Sequence, residues 1–98
     1  MARSDVYHSS QVFSLRRSHE ILLRLKHDPN CDMARAIIWY TDRGAPGDIS
    51  YVSGVDIVEL AAYYFEVRAN GAMKRIPYHR IRRIAYGERV IWKRSGDV

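Results

Sequence analysis

The sequence predicts an α+β domain in which an N-terminal amphipathic helix packs on a strongly bent, mostly antiparallel sheet of about five strands that could approach a barrel. One helical period, several short β-branched and aromatic runs, and turn formers between those runs predict this fold class. The chain has 98 residues and is 47% hydrophobic, which suffices for one core. We therefore assign residues 14–94 to a single domain, with residues 1–13 as a flexible arm and residues 95–98 as a frayed tail.

The helix is predicted from residue 14 to the Asp28-Pro29 pair. Proline disfavours helical geometry in the residue before it, so the helix should end there. The apolar stripe that would face the sheet recurs at helical spacing. Its members are Leu15, Ser18, Ile21, Leu22 and Leu25.

The strands are predicted from β-branched and aromatic runs. Residues 36–41 (AIIWYT) form the first run and end at residues 42–48, a segment dense in turn formers. Residues 49–52 and 55–60 indicate two further short strands, although residues 55–62 could also form a helical turn.

A hairpin is predicted around Asn70-Gly71, because this pair supplies the positive φ angles of a type I′ turn. A two-residue turn places Phe65 opposite Ile76 and Glu66 opposite Arg75.

The C-terminal part of the domain follows Pro77, which interrupts the hairpin. Ile81 and Ile84 lie three residues apart and indicate a single helical turn. Residues 90–92 form the last predicted strand.

Charge is segregated along the chain, whose net charge is +5. Residues 28–67 hold seven acidic and two basic side chains, whereas residues 68–94 hold nine basic and one acidic. Arginines outnumber lysines thirteen to three, and a guanidinium matches phosphate oxygens two at a time. The segment therefore favours a polyanionic partner, with the ion-pair networks of a thermophilic protein as the alternative.

Several classes of chemistry find no support in the sequence. The single cysteine, Cys31, cannot form an internal disulfide, and with His27 it offers two metal ligands where zinc normally takes four. There is no glycine-rich phosphate loop and no apolar run long enough to span a membrane. We expect a cytoplasmic protein that is not an enzyme and needs no metal or cofactor.

Residues 76–86 (IPYHRIRRIAY) interleave aromatic, imidazole and guanidinium groups with isoleucines. RNA binding uses this mixture, because arginines neutralise phosphate while tyrosine and histidine rings stack on bases or donate to ribose hydroxyls. Tyr78 and Trp92 could equally be core aromatics, and His79 could be a structural histidine.

Four segments resemble, in order, the archaeal RNA cyclic-group end recognition domain family. They are residues 17–29 (RSHEILLRLKHDP), 40–48 (YTDRGAPGD), 76–84 (IPYHRIRRI) and 90–94 (VIWKR), and the likeness covers roughly residues 15–94. The resemblance implies binding of RNA termini that carry a 2′,3′-cyclic phosphate, in RNA repair or processing. It also implies a set of phosphate-binding residues, which by position are Arg43, His79, Arg80, Arg82 and Arg94. We expect Tyr78 or His79 to recognise the last base or ribose.

Two other functions stay open on the sequence. The domain could be a constitutive RNA-binding component of a ribonucleoprotein such as the ribosome. Alternatively, His79 could act as a general acid or base in phosphoryl transfer if His19 approached it. The partners expected are RNA and RNA-processing proteins, and the sequence does not determine the oligomeric state.

Overall fold

The computed structural model describes residues 14–94, which form one helix and seven strands in two antiparallel sheets. The predicted arm at 1–13 and tail at 95–98 lie outside the described residues. One sheet has the strand order β2-β1-β6-β7 and the other β3-β4-β5. The elements are α1 Ser14–His27, β1 Ala36–Thr41, β2 Ile49–Ser53, β3 Ile57–Leu60, β4 Tyr64–Ala69, β5 Ala72–Pro77, β6 Ile81–Tyr86 and β7 Arg89–Lys93.

Helix α1 confirms the predicted amphipathic helix. Four members of its apolar stripe, Ser18, Ile21, Leu22 and Leu25, are buried. The helix packs against β3 and a 3-10 turn at Tyr78–Arg80. The chain leaves the helix at the residue before Pro29, where proline disfavours the helical backbone.

A single hydrophobic core lies between the two sheets and the helix. Along strand β1 the side chains alternate between buried and partly exposed, because successive residues point to opposite faces of the sheet. One face of the four-stranded sheet therefore lies against the core. The four-stranded sheet contributes Ala36, Ile38, Tyr40, Val52, Ile81, Ile84 and Trp92; the three-stranded sheet contributes Phe65, Val67 and Ile76.

The predicted hairpin is confirmed in its register. Phe65 pairs with Ile76, and Glu66 pairs with Arg75. Asn70 and Gly71 have φ angles of 53° and 79°, as the two-residue turn requires.

The prediction of one bent sheet of about five strands is wrong in strand number and in closure. The described residues form seven strands in two sheets, and these do not close into a barrel. The two sheets form because β1 pairs with β6, so that a strand near the end of the chain lies beside the first strand. Strands β3 to β5 pair only with one another and form the second sheet.

The helical turn predicted at Ile81 and Ile84 is also wrong, because both residues lie in strand β6. Trp39 pairs with Arg83 but Tyr40 pairs with Ile81, so β6 has one extra residue at this point. Such a bulge changes the alternation, and both isoleucines are therefore fully buried despite their spacing of three. The 3-10 turn lies just before them, at Tyr78–Arg80.

Candidate nucleic-acid interface

Antiparallel pairing brings three separate chain segments to one end of the four-stranded sheet. Strands β1 and β7 end there and β6 begins there, because β6 runs antiparallel to both neighbours. We call this the basic end. It carries all five of the charged or imidazole side chains predicted to bind phosphate, namely Arg43, His79, Arg80, Arg82 and Arg94.

Three side chains of the basic end are exposed. Arg43 follows β1 in the loop, and His79 and Arg80 lie on the 3-10 turn before β6. In the part of the chain that the structure describes, neither Arg43 nor Arg80 lies within 4.0 Å of a carboxylate oxygen. The ion pairs there instead engage other cations, so these two guanidinium groups remain accessible to an external anion.

The Arg94 side chain stabilises the 3-10 turn of the basic end by hydrogen bonds to backbone carbonyl oxygens. Its Nε donates to the Ile81 carbonyl oxygen at 3.1 Å and its Nη2 donates to the same oxygen at 2.8 Å. Nη2 also donates to the carbonyl oxygen of His79. The backbone N–H of Arg94 donates to the Arg82 carbonyl at 2.9 Å, so Arg94 fixes the backbone of the turn that presents His79 and Arg80. That Arg94 also contacts phosphate stays a prediction.

Tyr78 supports the same turn from inside the core. Its ring lies between His19, at 4.2 Å between ring centroids, and Phe65, at 5.6 Å. Its hydroxyl donates to the Ala61 carbonyl oxygen at 2.7 Å, and burial raises the pKa of Tyr78 to about 12. In this structure Tyr78 is a packing residue, as is Trp92, which is 3% exposed.

The two histidines of the enzymatic alternative have different surroundings. His19 stacks on Tyr78, and burial lowers the pKa of His19. His79 is exposed on the neighbouring turn. Within residues 14–94, no hydrogen bond joins the two imidazole rings.

Asp42 is the acidic group closest to the basic end along the chain, and it is already engaged. The Ser50 hydroxyl donates to its Oδ2 at 2.7 Å, and Lys74 Nζ lies 3.5 Å from the same oxygen. The hydrogen bond from Ser50 lowers the pKa of Asp42, with smaller contributions from Lys74 and from Arg80.

We expect Ser50→Ala to raise the pKa of Asp42 towards its ordinary value. A carboxyl whose folded-state pKa is depressed stabilises the fold above its unfolded pKa, and this contribution is lost as pH falls through the folded pKa. The wild type should therefore lose stability below about pH 4, and Ser50→Ala should lose part of that pH dependence. Carboxyl chemical shifts followed by NMR measure the pKa. Ser53→Ala, on the same strand, is the control and should leave the Asp42 pKa unchanged, and an equal shift in both variants would contradict the assignment.

Sequence reasoning missed an exposed row on the outer face of the four-stranded sheet. Trp39 pairs with Tyr51 on one side and Arg83 on the other, and Arg83 pairs with Lys93. The Arg83 guanidinium carbon lies 4.6 Å from the Trp39 ring centroid. The run AIIWYT does not predict which of its side chains face outward, because it is largely apolar on both faces and shows no alternation.

The described residues include no group of three or more histidine, cysteine, aspartate or glutamate side chains placed to hold a metal ion. Burial and the nearby carboxylate of Asp28 raise the pKa of the Cys31 thiol, which lowers its thiolate fraction. Among the described helices, none has the length and apolarity needed to cross a membrane.

Comparison with known proteins finds one matching family and several archaeal relatives. Residues 15–94 match the family described as the MJ1316 RNA cyclic group end recognition domain. A UPF0248 protein of Thermococcus onnurineus is 39% identical over 79 residues, which cover 80% of this chain and 85% of the relative. A UPF0248 protein of Archaeoglobus fulgidus is 38% identical over 71 residues, covering 72% of this chain and 96% of the relative. No solved structure matches the chain at a significant level.

Proposed function

Because this chain belongs to the family of the RNA cyclic group end recognition domain, we propose that it binds RNA termini carrying a 2′,3′-cyclic phosphate and serves RNA repair or processing. The observation that supports this most is that the chain segments carrying Arg43, His79 and Arg80 lie at one end of the four-stranded sheet and that these three residues are exposed. The family is described as a recognition domain, and binding without catalysis is the activity we propose.

The distribution of charge between the two sheets supports an anionic ligand at this end. The strands of the four-stranded sheet contain four basic residues, Arg82, Arg83, Arg89 and Lys93, and no aspartate or glutamate. The three-stranded sheet instead carries both signs, and its Arg75 pairs with Glu66 at 3.5 Å. The strands of the four-stranded sheet therefore carry an excess of positive charge, which favours an anionic ligand.

The proposed binding mode assigns each side chain of the basic end a role. The Arg43 and Arg80 guanidinium groups bind the non-bridging oxygens of the terminal phosphate, since charge-assisted and bidentate bonds are the strongest that such oxygens accept. The exposed imidazole of His79 donates to a ribose or phosphate oxygen. Arg82 lies beside them and Arg94 holds the turn, and phosphate contact by either of these two is part of the proposal.

Preference for a cyclic end cannot come from charge alone. A cyclic phosphate carries one negative charge, whereas a phosphomonoester carries about 1.5 to 2 at neutral pH. Guanidinium groups in a purely electrostatic site would thus favour the open 3′-phosphate. Selection of the cyclic form requires the fixed geometry that Arg94 and the buried Tyr78 give to the turn.

The direct test compares one oligonucleotide with three different ends: a 2′,3′-cyclic phosphate, a 3′-phosphate and a 3′-hydroxyl. We expect the cyclic end to bind most tightly and the hydroxyl end most weakly, measured by fluorescence anisotropy at two salt concentrations. Equal affinity for all three would reject end recognition. Tightest binding to the open phosphate would leave an anion site without the proposed selectivity.

A further inference from the structure

We propose that the outer face of the four-stranded sheet is a stacking platform for the unpaired nucleotides that precede the bound RNA end. The platform consists of Tyr51, Trp39, Arg83 and Lys93. This inference rests on the proposed function, because it names the form of RNA that the basic end would take: a single strand rather than a blunt duplex.

The first argument is the register. The four residues come from β2, β1, β6 and β7 and lie directly opposite one another, so they form one continuous row across the sheet. The ring centroids of Trp39 and Tyr51 are 6.3 Å apart. Cross-strand neighbours share a face, and this row lies on the face opposite to the one that buries Ile38, Tyr40 and Ile84.

The second argument is exposure. Tyr51 is 69% exposed, and Trp39 is only partly buried although its neighbours in sequence, Ile38 and Tyr40, are at 0% and 4%. Two large rings held near solvent on a rigid sheet gain little for folding. They do offer flat surfaces, and successive bases of a single strand stack on such rings whatever their sequence.

The third argument is charge. Arg83 and Lys93 extend the row, and the four strands hold no acidic residue. The face therefore complements an anionic partner. It fits RNA better than an acidic protein surface, because RNA supplies both aromatic bases and regularly spaced phosphates. The Arg83 guanidinium already stacks on Trp39, and guanidinium planes also accept stacked bases.

The fourth argument is continuity with the basic end. Trp39 lies four residues before Arg43, and Arg83 lies three residues after Arg80. Four residues of extended chain span at most about 14 Å, so one short RNA strand can reach both places. The RNA terminus would sit at the basic end and the preceding bases on the platform.

The test uses a heptamer of uridine with a 2′,3′-cyclic phosphate and, separately, uridine 2′,3′-cyclic monophosphate. In the full-length protein, Trp39→Ala/Tyr51→Ala should weaken heptamer binding by about tenfold or more, since each stacked base contributes on that scale. Binding of the mononucleotide should stay the same. Trp39→Phe/Tyr51→Phe keeps both rings and should retain most of the heptamer affinity, and Tyr63→Ala, which removes an aromatic ring 85% exposed elsewhere, should not change it.

Intrinsic fluorescence gives an independent readout, because the chain has two tryptophans and the other one, Trp92, is 3% exposed. The heptamer should quench the wild type and fail to quench Trp39→Phe. Unchanged heptamer affinity in Trp39→Ala/Tyr51→Ala would overturn the platform. A concentration-dependent dimer that the same variant abolishes would also overturn it, by making this face an interface between two copies.

These outcomes separate the platform from end recognition. If the wild type binds all three RNA ends with equal affinity but Trp39→Ala/Tyr51→Ala still loses heptamer affinity, the proposed function fails and the platform stands. If the wild type prefers the cyclic end and the variant binds the heptamer as tightly as the wild type, the platform fails and end recognition stands.

Discussion

Phe65→Ala is expected to lower the free energy of unfolding by about 3–5 kcal/mol, the usual cost of emptying a fully buried phenylalanine site. Phe65 is 0% exposed and lies on the inner face of the three-stranded sheet. Its ring stacks on Tyr78, which in turn stacks on His19 of the helix. The substitution therefore leaves a cavity where the second sheet, the turn of the basic end and the helix meet.

Urea denaturation measures this loss through the midpoint of unfolding. A small domain has about 5–15 kcal/mol in total, so the midpoint should fall by a large fraction. Tyr63→Ala removes a ring that is 85% exposed two residues away, and should change stability by no more than about 0.5 kcal/mol. Equal midpoints for the two variants would show that the ring of Phe65 is not part of the core.

Arg43→Ala/Arg80→Ala is expected to weaken binding to a cyclic-phosphate RNA end by about 10- to 100-fold, because hydrogen bonds to charged groups contribute about 1.5–3 kcal/mol each when buried and less when exposed. Both side chains are exposed at the basic end. Each lost phosphate contact should also reduce the salt dependence, by about 0.7 in the logarithmic slope for a single strand. Anisotropy titrations at several salt concentrations measure both quantities.

The matched control removes the same charge from the other sheet. Arg68→Ala/Arg75→Ala alters two exposed arginines of the β4–β5 hairpin. Neither arginine belongs to the segments that form the basic end, so affinity and salt slope should stay near those of the wild type. If the two double variants lose the same affinity, binding follows net charge and the basic end has no special role.

The basic end shows how far a sequence can locate a site. The clustering of arginines after residue 67 is visible in the sequence, and the family resemblance indicates individual positions. The sequence does not show which of these arginines are bonded to other parts of the protein. The structure engages Arg94 with backbone carbonyls and leaves Arg43 and Arg80 without a carboxylate partner within 4.0 Å among the described residues. Such partners come from other strands, and side-chain chemistry alone does not specify them.

The helix, the Asn70-Gly71 hairpin and the concentration of positive charge can be predicted from the order of the residues, because each depends on residues close together in the chain. The division of the strands into two sheets and the outward orientation of Trp39 depend instead on pairing between distant segments. Strand β1 pairs with β6 across more than forty residues of chain. That pairing is selected by burial over the entire core, and a strand that is apolar on both faces gives no local sign of which face it will bury.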